Sequence, residues 1–218
     1  MSTPKPLNSM DQFRYCPCYC EENVFHLLAK LAAETGSDLC DLFCVFLTSP
    51  GKQFPILRQK NGSGDLGQIV WDYHVLAIMY HTGERFFQVW DLDTTMNLPA
   101  PFAEYADQAL LLEQPSLAPF DRRFRVVSGR RFLAHFSSDR RHMRRQGDGQ
   151  WLASPPDWPP IEASEPLCGS RCPEGHSLPL YLDVDKLDVV PFPDWRSAVD
   201  HAPRGVVVNE HQLRRMFS

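Results

Sequence analysis

The sequence predicts an α/β protein of the α+β kind, a single domain whose central, mostly antiparallel sheet is flanked by helices. Its 218 residues fit one domain with a substantial core. A hydrophobic content of 43% and an aromatic content of 11% are typical of a globular chain and not of a disordered one. Helix-periodic segments near both ends enclose short apolar runs separated by turn signals, and this pattern favours a sheet covered by helices.

The first helix is predicted over 20–34, with Gly36 just beyond it as a stop signal. Its apolar side chains recur at the spacing of one helix face, at Val24, Leu27, Leu28 and Leu31. Cys20 is therefore expected in the first turn. The apolar run 43–48 is predicted as a buried strand that ends at a Ser-Pro-Gly turn, and residues 54–57 are predicted as its antiparallel partner.

Two longer strands are predicted over 68–81 and 84–92, joined by Thr82-Gly83 as a two-residue loop. Counting back from that loop places His74 directly opposite Asp91. Opposed residues on one face of a sheet have Cβ atoms about 4.5–5.5 Å apart, a distance at which a carboxylate can hold an imidazole. Thr-Gly is not the most favourable hairpin pair, so a shifted register stays open.

The second half of the chain is predicted to contain shorter elements: a helix over 102–112, a strand over 124–127, a helix over 131–136, a strand over 205–208, and a helix over 210–217 capped by Asn209. Residues 164–203 lack clear periodicity, although 180–182 and 187–190 have the composition of strand fragments. Residues 1–14 are rich in Pro and Ser and are expected to form a flexible leader. The predicted catalytic domain is therefore 15–218.

Charge and cysteine content narrow the classes of partner. The net charge of -5 gives no electrostatic reason to expect nucleic acid as a partner. No apolar run is long enough to span a bilayer, so no membrane partner is expected. The seven cysteines are an odd number without a secretory signal. We therefore expect a reduced, intracellular protein of the cytoplasm, with the nucleus open as a second compartment.

Cys20, His74 and Asp91 are the candidate catalytic residues. A thiol, an imidazole and a carboxylate in this chain order suit a nucleophilic site of the papain or transglutaminase type. A helix N-terminus and a nearby imidazolium favour the thiolate, whereas the neighbouring Glu21 and Glu22 oppose it. The alternatives are an inert buried thiol and a core histidine. Strand alternation does not choose between Asp91 and Asp93, which share a face.

A zinc site is the competing interpretation of the remaining thiols. Cys16 and Cys18, with Cys168, Cys172 and His176, offer enough ligands for a tetrahedral ion. Their spacings are not those of common zinc modules, so we expect no metal and no cofactor. Cys40 and Cys44 are predicted to lie in the core, and the basic run 140–145 is predicted to form a solvated turn.

Several strings of sequence resemble the protein N-terminal glutamine amidohydrolase family. The strings are Cys-Tyr-Cys-Glu-Glu-Asn at 18–23, Trp-Asp-Tyr-His-Val at 71–75 and Asp-Leu-Asp-Thr at 91–94. Weaker matches occur at 124–126, 138–140, 142–143, Trp151 with its following prolines, and 205–217. The resemblance is specific because several rare strings recur in the same order. It covers most of 15–163 and the last dozen or so residues.

The resemblance implies a transglutaminase-like core in which Cys20 is the nucleophile, His74 the acid–base residue and Asp91 its partner. It also implies an enzyme that converts an N-terminal glutamine of a protein to glutamate through a thioester and releases ammonia. We expect the protein to be a monomer. The partners would be the N-terminal segments of substrate proteins, and the product would enter the N-degron route by arginylation. The region 164–203 looks longer than the corresponding region of relatives, and we expect it to be a family-variable insertion without an assigned role.

The free α-ammonium of the substrate needs an acidic side chain to bind it, called the ammonium reader below. Glu21, Asp72 and Asp93 are the candidates because they neighbour the motifs. The sequence does not rank them. Two other functions stay open. A papain-like protease or transglutaminase would require no free N-terminus, and a non-catalytic peptide-binding adaptor would tolerate the loss of Cys20.

Overall fold

The computed structural model describes residues 12–35, 38–167 and 174–218. Within them the chain forms one α+β domain around an antiparallel six-stranded sheet, which confirms the predicted fold class at this level. The strands are β1 (Leu42–Thr48), β2 (Phe54–Ile56), β3 (Ile69–Trp71), β4 (Tyr73–His81), β5 (Phe86–Trp90), β6 (Ala100–Pro101), β7 (Arg123–Ser128) and β8 (Val206–Val208). Their order in the main sheet is β6-β5-β4-β1-β7-β8, and β2 pairs with β3 in a separate small sheet.

Helices cover both faces of the main sheet. They are α1 (Cys20–Thr35), α2 (Phe102–Gln108), α3 (Gly129–His135), α4 (Leu178–Leu182), α5 (Trp195–His201) and α6 (Glu210–Phe217), with short 3-10 turns at Leu39–Asp41, Pro115–Phe120 and Arg141–Met143. In the part of the chain that the structure describes, every helix is too short or too polar to cross a membrane.

The central strand β1 is buried along its whole length, because it contributes to a core on each face. Leu42, Cys44 and Phe46 pack with α1, α3 and α4 on one side. Phe43, Val45 and Leu47 pack with α2, α5 and α6 on the other. The continuous apolar run that predicted this strand is thus a consequence of two-sided burial.

The predicted hairpin loop and register are wrong. The loop between β4 and β5 has four residues, 82–85, and His81 pairs with Phe86. Arg85 adopts a left-handed conformation with φ 58°, and its N–H donates to the His81 carbonyl at 2.7 Å. The register is shifted by two residues from the predicted one. Because the side-chain period of a strand is also two, the shift keeps each side chain on its predicted face.

Other elements differ from the predictions for reasons of packing. Residues 54–56 pair with 69–71 because β1 already has β4 and β7 on its two edges. The strand predicted over 68–81 is divided at Asp72, and the helix predicted over 102–112 ends at Gln108. Residues 180–182 belong to α4 and 187–190 form no strand, so both predicted strand fragments are wrong, and α5 was not anticipated.

The remaining terminal predictions are mostly confirmed. Helix α6 begins with a capping box. The Asn209 side chain accepts from the Gln212 N–H at 2.9 Å, and the Gln212 side chain accepts from the Asn209 N–H at 3.0 Å. Cys44 is buried as expected, but Cys40 is exposed, so its predicted core position is wrong. Residues 1–11 of the predicted leader lie outside the described residues, whereas Phe13 is buried against Trp90.

Candidate active site

A short loop that begins at Cys16 leads into α1, whose first residue is Cys20. The Asn23 side chain accepts from the Cys16 N–H at 2.8 Å and donates to the Cys16 carbonyl at 2.9 Å, which closes the loop on itself. Cys18 turns the chain with a left-handed φ of 68°. The Asn23 N–H donates to the Tyr19 carbonyl at 2.9 Å, so the helical pattern begins there. The backbone N–H groups of the first turn, including that of Cys20, have no helix carbonyl to donate to.

A buried ion pair between Glu22 and Arg140 also fixes the first turn of α1. The carboxylate of Glu22 is fully buried and accepts two bonds from Arg140, at 2.9 and 2.8 Å, and a third from the Trp158 indole at 2.8 Å. Arg140 also donates to the Trp158 carbonyl at 2.7 Å. The solvated turn predicted for the basic run is therefore wrong at Arg140. Its guanidinium is buried in an ion pair with Glu22, which lies 118 residues away in the chain. The sequence signal for it was the family-like string at 138–140.

His74 and Asp91 form the polar centre of the site. His74 Nε2 lies 2.9 Å from Asp91 Oδ1, and both side chains are fully buried. Asp91 also accepts from the Gln59 side chain at 2.8 Å, the Tyr105 hydroxyl at 2.6 Å and the Asp93 N–H at 3.0 Å. The predicted contact between imidazole and carboxylate is thus present, although it does not arise from the predicted strand register. Gln59 and Tyr105 were not anticipated, because neither stands near a motif.

The electrostatics of this pair favour its charged form. Burial acts to lower the pKa of His74, but the charge and hydrogen bond of Asp91 outweigh it and leave that pKa raised. Burial likewise acts to raise the pKa of Asp91, yet His74, Tyr105 and Gln59 together lower it to about 2. His74 also stacks on the Trp71 ring, with centroids 5.1 Å apart. Its Nδ1 has no hydrogen-bond partner among the described residues, so this atom is free to exchange a proton.

Cys20 is the first residue of α1, which packs against the strand that carries His74, and it rests as a protonated thiol. Its Sγ donates to Glu21 Oε2 at 3.7 Å. Burial, followed by the charges of Glu21 and Asp93, raises the pKa of the thiol well above its ordinary value. The Val75 N–H, next in the chain to His74, hydrogen-bonds the sulfur and opposes that rise. A base must therefore remove the proton if this thiol is to attack.

A cleft of about 630 Å³ opens onto the thiol. Cys20 and Asp93 line it, as do side chains from the segment 176–185. Another cleft, of about 660 Å³, contains none of the candidate residues, so we assign the chemistry to the first. Of the three acidic candidates, Glu21 is fully buried and does not line the cleft, whereas Asp72 is exposed and does.

Asp93 combines cleft access with a fixed position. Its side chain is 7% exposed, and Oδ1 accepts from the Tyr15 hydroxyl at 2.5 Å. Ligand atoms of Asp93, His74 and Asp91 all lie within 4.8 Å of one another, which places this carboxylate close to the imidazole.

Among the described residues, the same three form the one group that could hold a cation, but the arrangement is a poor fit. Both oxygens of Asp91 and Nε2 of His74 already take part in hydrogen bonds, so an ion would have to displace them. Of the zinc-like thiols, Cys16 contacts the Ser154 carbonyl at 3.6 Å, and Cys168 and Cys172 lie outside the described residues. The absence of a metal stays a prediction.

The fold and the cleft define a class of α+β protein with a cleft-lining cysteine at the start of a helix and a buried imidazole–carboxylate pair. Comparison with known proteins makes the class specific. A sequence model described as N-terminal glutamine amidase matches residues 15–217, which include the region 164–203. A protein N-terminal glutamine amidohydrolase from Arabidopsis thaliana is 35% identical over 224 residues, covering 99% of this chain and 97% of the relative.

Insect relatives extend the similarity. Proteins of the same name from Drosophila ananassae and Drosophila pseudoobscura pseudoobscura are each 40% identical over 147 residues, covering 67% of this chain and 71% of the relative. The chain belongs to the N-terminal glutamine amidase family, and the resemblance identified from its sequence strings is confirmed.

Proposed function

We propose that this protein removes the side-chain amide of an N-terminal glutamine in proteins and peptides, producing glutamate and ammonia. The observation that carries the proposal is the buried contact of 2.9 Å between His74 and Asp91. It leaves His74 Nδ1 without a hydrogen-bond partner among the described residues, on a strand that packs against the helix that begins at Cys20. The names of the family and of its relatives support the substrate.

The proposed core is of the papain or transglutaminase type. Cys20 Sγ attacks the amide carbon while His74 Nδ1 takes the thiol proton, and the N–H groups at the start of α1 stabilise the oxyanion. His74 then gives that proton to the departing nitrogen, which leaves as ammonia and yields a thioester. Water attacks the thioester with His74 as base, which releases glutamate and restores the thiol. Asp91 orients the imidazole and stabilises its charged form throughout.

Asp93 is the proposed reader of the substrate's α-ammonium. An ammonium group favours a carboxylate that is desolvated, held in place and open on one side. Asp93 meets these conditions, because Tyr15 fixes one oxygen while the side chain lines the cleft next to Cys20. Glu21 is enclosed, and Asp72 is exposed to water, which weakens an ion pair.

The wider context follows from the same chemistry. A new N-terminal glutamate is a substrate for an arginyl transferase, so the product would enter the N-degron route. We expect the enzyme to act as a cytoplasmic monomer on exposed N-termini, with 15–218 as the catalytic domain. Size-exclusion chromatography with light scattering and cell fractionation test the monomer and its location.

Three matched peptides test the reaction. A peptide with N-terminal Gln should gain the mass expected for deamidation and release one equivalent of ammonia. The Asn peptide is shorter by one methylene and the acetyl-Gln peptide has no α-ammonium, so both should react far more slowly. Cleavage of the backbone or cross-linking to lysine would favour the protease or transglutaminase alternative, and binding without turnover would favour an adaptor.

Asp93→Asn tests the proposed ammonium reader. Loss of one charged contact should lower kcat/KM for the Gln peptide about 10- to 100-fold, and the preference over acetyl-Gln should shrink with it. Asp72→Asn is the matched control at the exposed edge of the cleft. If Asp72→Asn has the larger effect on that preference, Asp93 is not the reader.

A further inference from the structure

The carboxylate of Glu21 is an unusual neighbour for a nucleophilic thiol. It is fully buried, and its Oε2 accepts from Cys20 Sγ at 3.7 Å and from the Tyr73 hydroxyl at 3.1 Å. Its Oε1 is buried and lacks a well-formed hydrogen bond among the described residues. A buried carboxylate of this kind needs a positive partner, because removal of a charge from water is costly.

Glu21 also opposes the chemistry proposed for Cys20. A thiolate formed beside it would be a second negative charge in a site with little water, and Asp93 adds a third nearby. The imidazolium that forms when His74 takes the Cys20 proton is paired with the Asp91 carboxylate, so its charge offsets little of the repulsion from Glu21. Ionisation of Cys20 therefore needs another cation next to the Glu21 carboxylate, to compensate its negative charge.

His142 is in the position to do so. Its Nε2 lies 3.3 Å from Glu21 Oε1 and 3.5 Å from the Tyr73 hydroxyl. The distance to Glu21 is within ion-pair range, and a small rotation of the ring would align an N–H with the free oxygen. His142 lines the cleft with a side chain that is 18% exposed, so solvent reaches the ring.

The ring of His142 is held in place from the far side. It stacks on His176 with centroids 5.3 Å apart and planes 19° from parallel. His176 lies 3.6 Å from Asp139, which is itself paired with Arg141. Burial and the neighbouring His142 lower the pKa of His176, which favours the neutral form of that ring.

We propose that His142 is a positioning residue that, as an imidazolium, pairs with Glu21 and so allows Cys20 to lose its proton during attack. The inference rests on the proposed function, but its central claim concerns the ionisation of Cys20. The titratable and charged groups that face the Glu21–His142 pair are Cys18, Tyr19, Cys20, Cys44, Tyr73, His176 and, behind it, Asp139 with Arg141.

A double-mutant cycle tests the proposal. The variants are His142→Gln, Glu21→Gln and the double variant, with His211→Gln as a control at a histidine whose side chain is 75% exposed. The first readout is the rate at which iodoacetamide alkylates Cys20 from about pH 6 to about pH 10. Peptide fragmentation separates Cys20 from Cys16 and Cys18. The second readout is kcat/KM for the Gln peptide.

We expect His142→Gln to slow the alkylation of Cys20 about 10-fold or more near neutral pH and to move its profile to higher pH. Glu21→Gln should move the profile to lower pH. In the double variant the alkylation rate should return to within about 3-fold of Glu21→Gln, since the charge that His142 balances is then gone. His211→Gln should match the wild type.

Two results would overturn the inference: an unchanged alkylation profile in His142→Gln, or a double variant that stays as slow as His142→Gln. If His142→Gln fails to fold, His142→Phe preserves the ring stack on His176 without its nitrogens and should show the same slow alkylation. Alkylation needs no glutamine substrate. A wild type that releases no ammonia would therefore refute the proposed function, whereas the alkylation result decides the role of His142.

Discussion

The substitution Asp91→Asn probes the centre of the site, because it changes one atom in a fully enclosed cluster. Asp91 accepts four hydrogen bonds, from His74, Asp93, Gln59 and Tyr105. An amide oxygen can still serve Gln59 and Tyr105. The amide NH₂ would then face the Asp93 N–H, which is also a donor, and His74 Nε2. The imidazole can accept this new bond only if its proton moves to Nδ1.

The tautomer change removes the proposed base, because Nδ1 is the atom that must take the proton of Cys20. We therefore expect kcat to fall about 10³- to 10⁴-fold, the loss seen when an orienting carboxylate is replaced by its amide. The cost in folding is much smaller. A shift of the Asp91 pKa from 3.8 to about 2 corresponds to about 2 kcal/mol of stabilisation.

Ammonia release from a Gln peptide and urea unfolding measure the two effects in the same preparations. Asp107→Asn is the matched control, since that carboxylate is 64% exposed and pairs only at the surface with Arg214. It should leave kcat within about 2-fold and the free energy of unfolding within about 0.5 kcal/mol. A kcat above about a tenth of the wild-type value in Asp91→Asn would refute the role given to this carboxylate.

Three further outcomes are expected. Cys20→Ala should abolish ammonia release while Cys16→Ala retains most of it, and substantial turnover by the first variant would disprove the proposed nucleophile. The pairing of His74 with Asp91 stabilises the fold above the unfolded pKa of the carboxyl, about 4, and weakens as pH rises through the raised pKa of His74. The difference in urea stability between the wild type and Asp91→Asn should therefore be larger near pH 5.5 than near pH 9, and a pH-independent difference would contradict the ion pair. Elemental analysis should find no stoichiometric metal, and about one zinc per chain would overturn this prediction.

The features that the sequence predicted well depend on neighbours in the chain. Helix α1 follows from the spacing of its apolar face, and α6 follows from its Asn209 cap. The buried strand β1 follows from its unbroken apolar run. The candidate residues Cys20, His74 and Asp91 stand in strings rare enough to identify the family without any geometry.

The hairpin between β4 and β5 shows where this kind of prediction fails. The turn rule favours a two-residue loop at Thr82-Gly83, but the chain uses four residues and a left-handed Arg85. The shift of two residues preserves the face of each strand, and the imidazole still meets the carboxylate because Asp91, just beyond the end of β5, reaches His74. Local turn signals therefore placed the strands on the correct faces without fixing their register.

The sequence by itself determined the fold class, the ends of its strongest elements and the chemical identity of the candidate site. Only the tertiary structure decided which groups surround that chemistry: Gln59 and Tyr105 on Asp91, Arg140 and Trp158 on Glu22, and His142 on Glu21. These partners are between 14 and 136 residues apart in the chain. Helix and strand periodicities act over a few residues, whereas contacts at such separations exist only once the whole domain has packed.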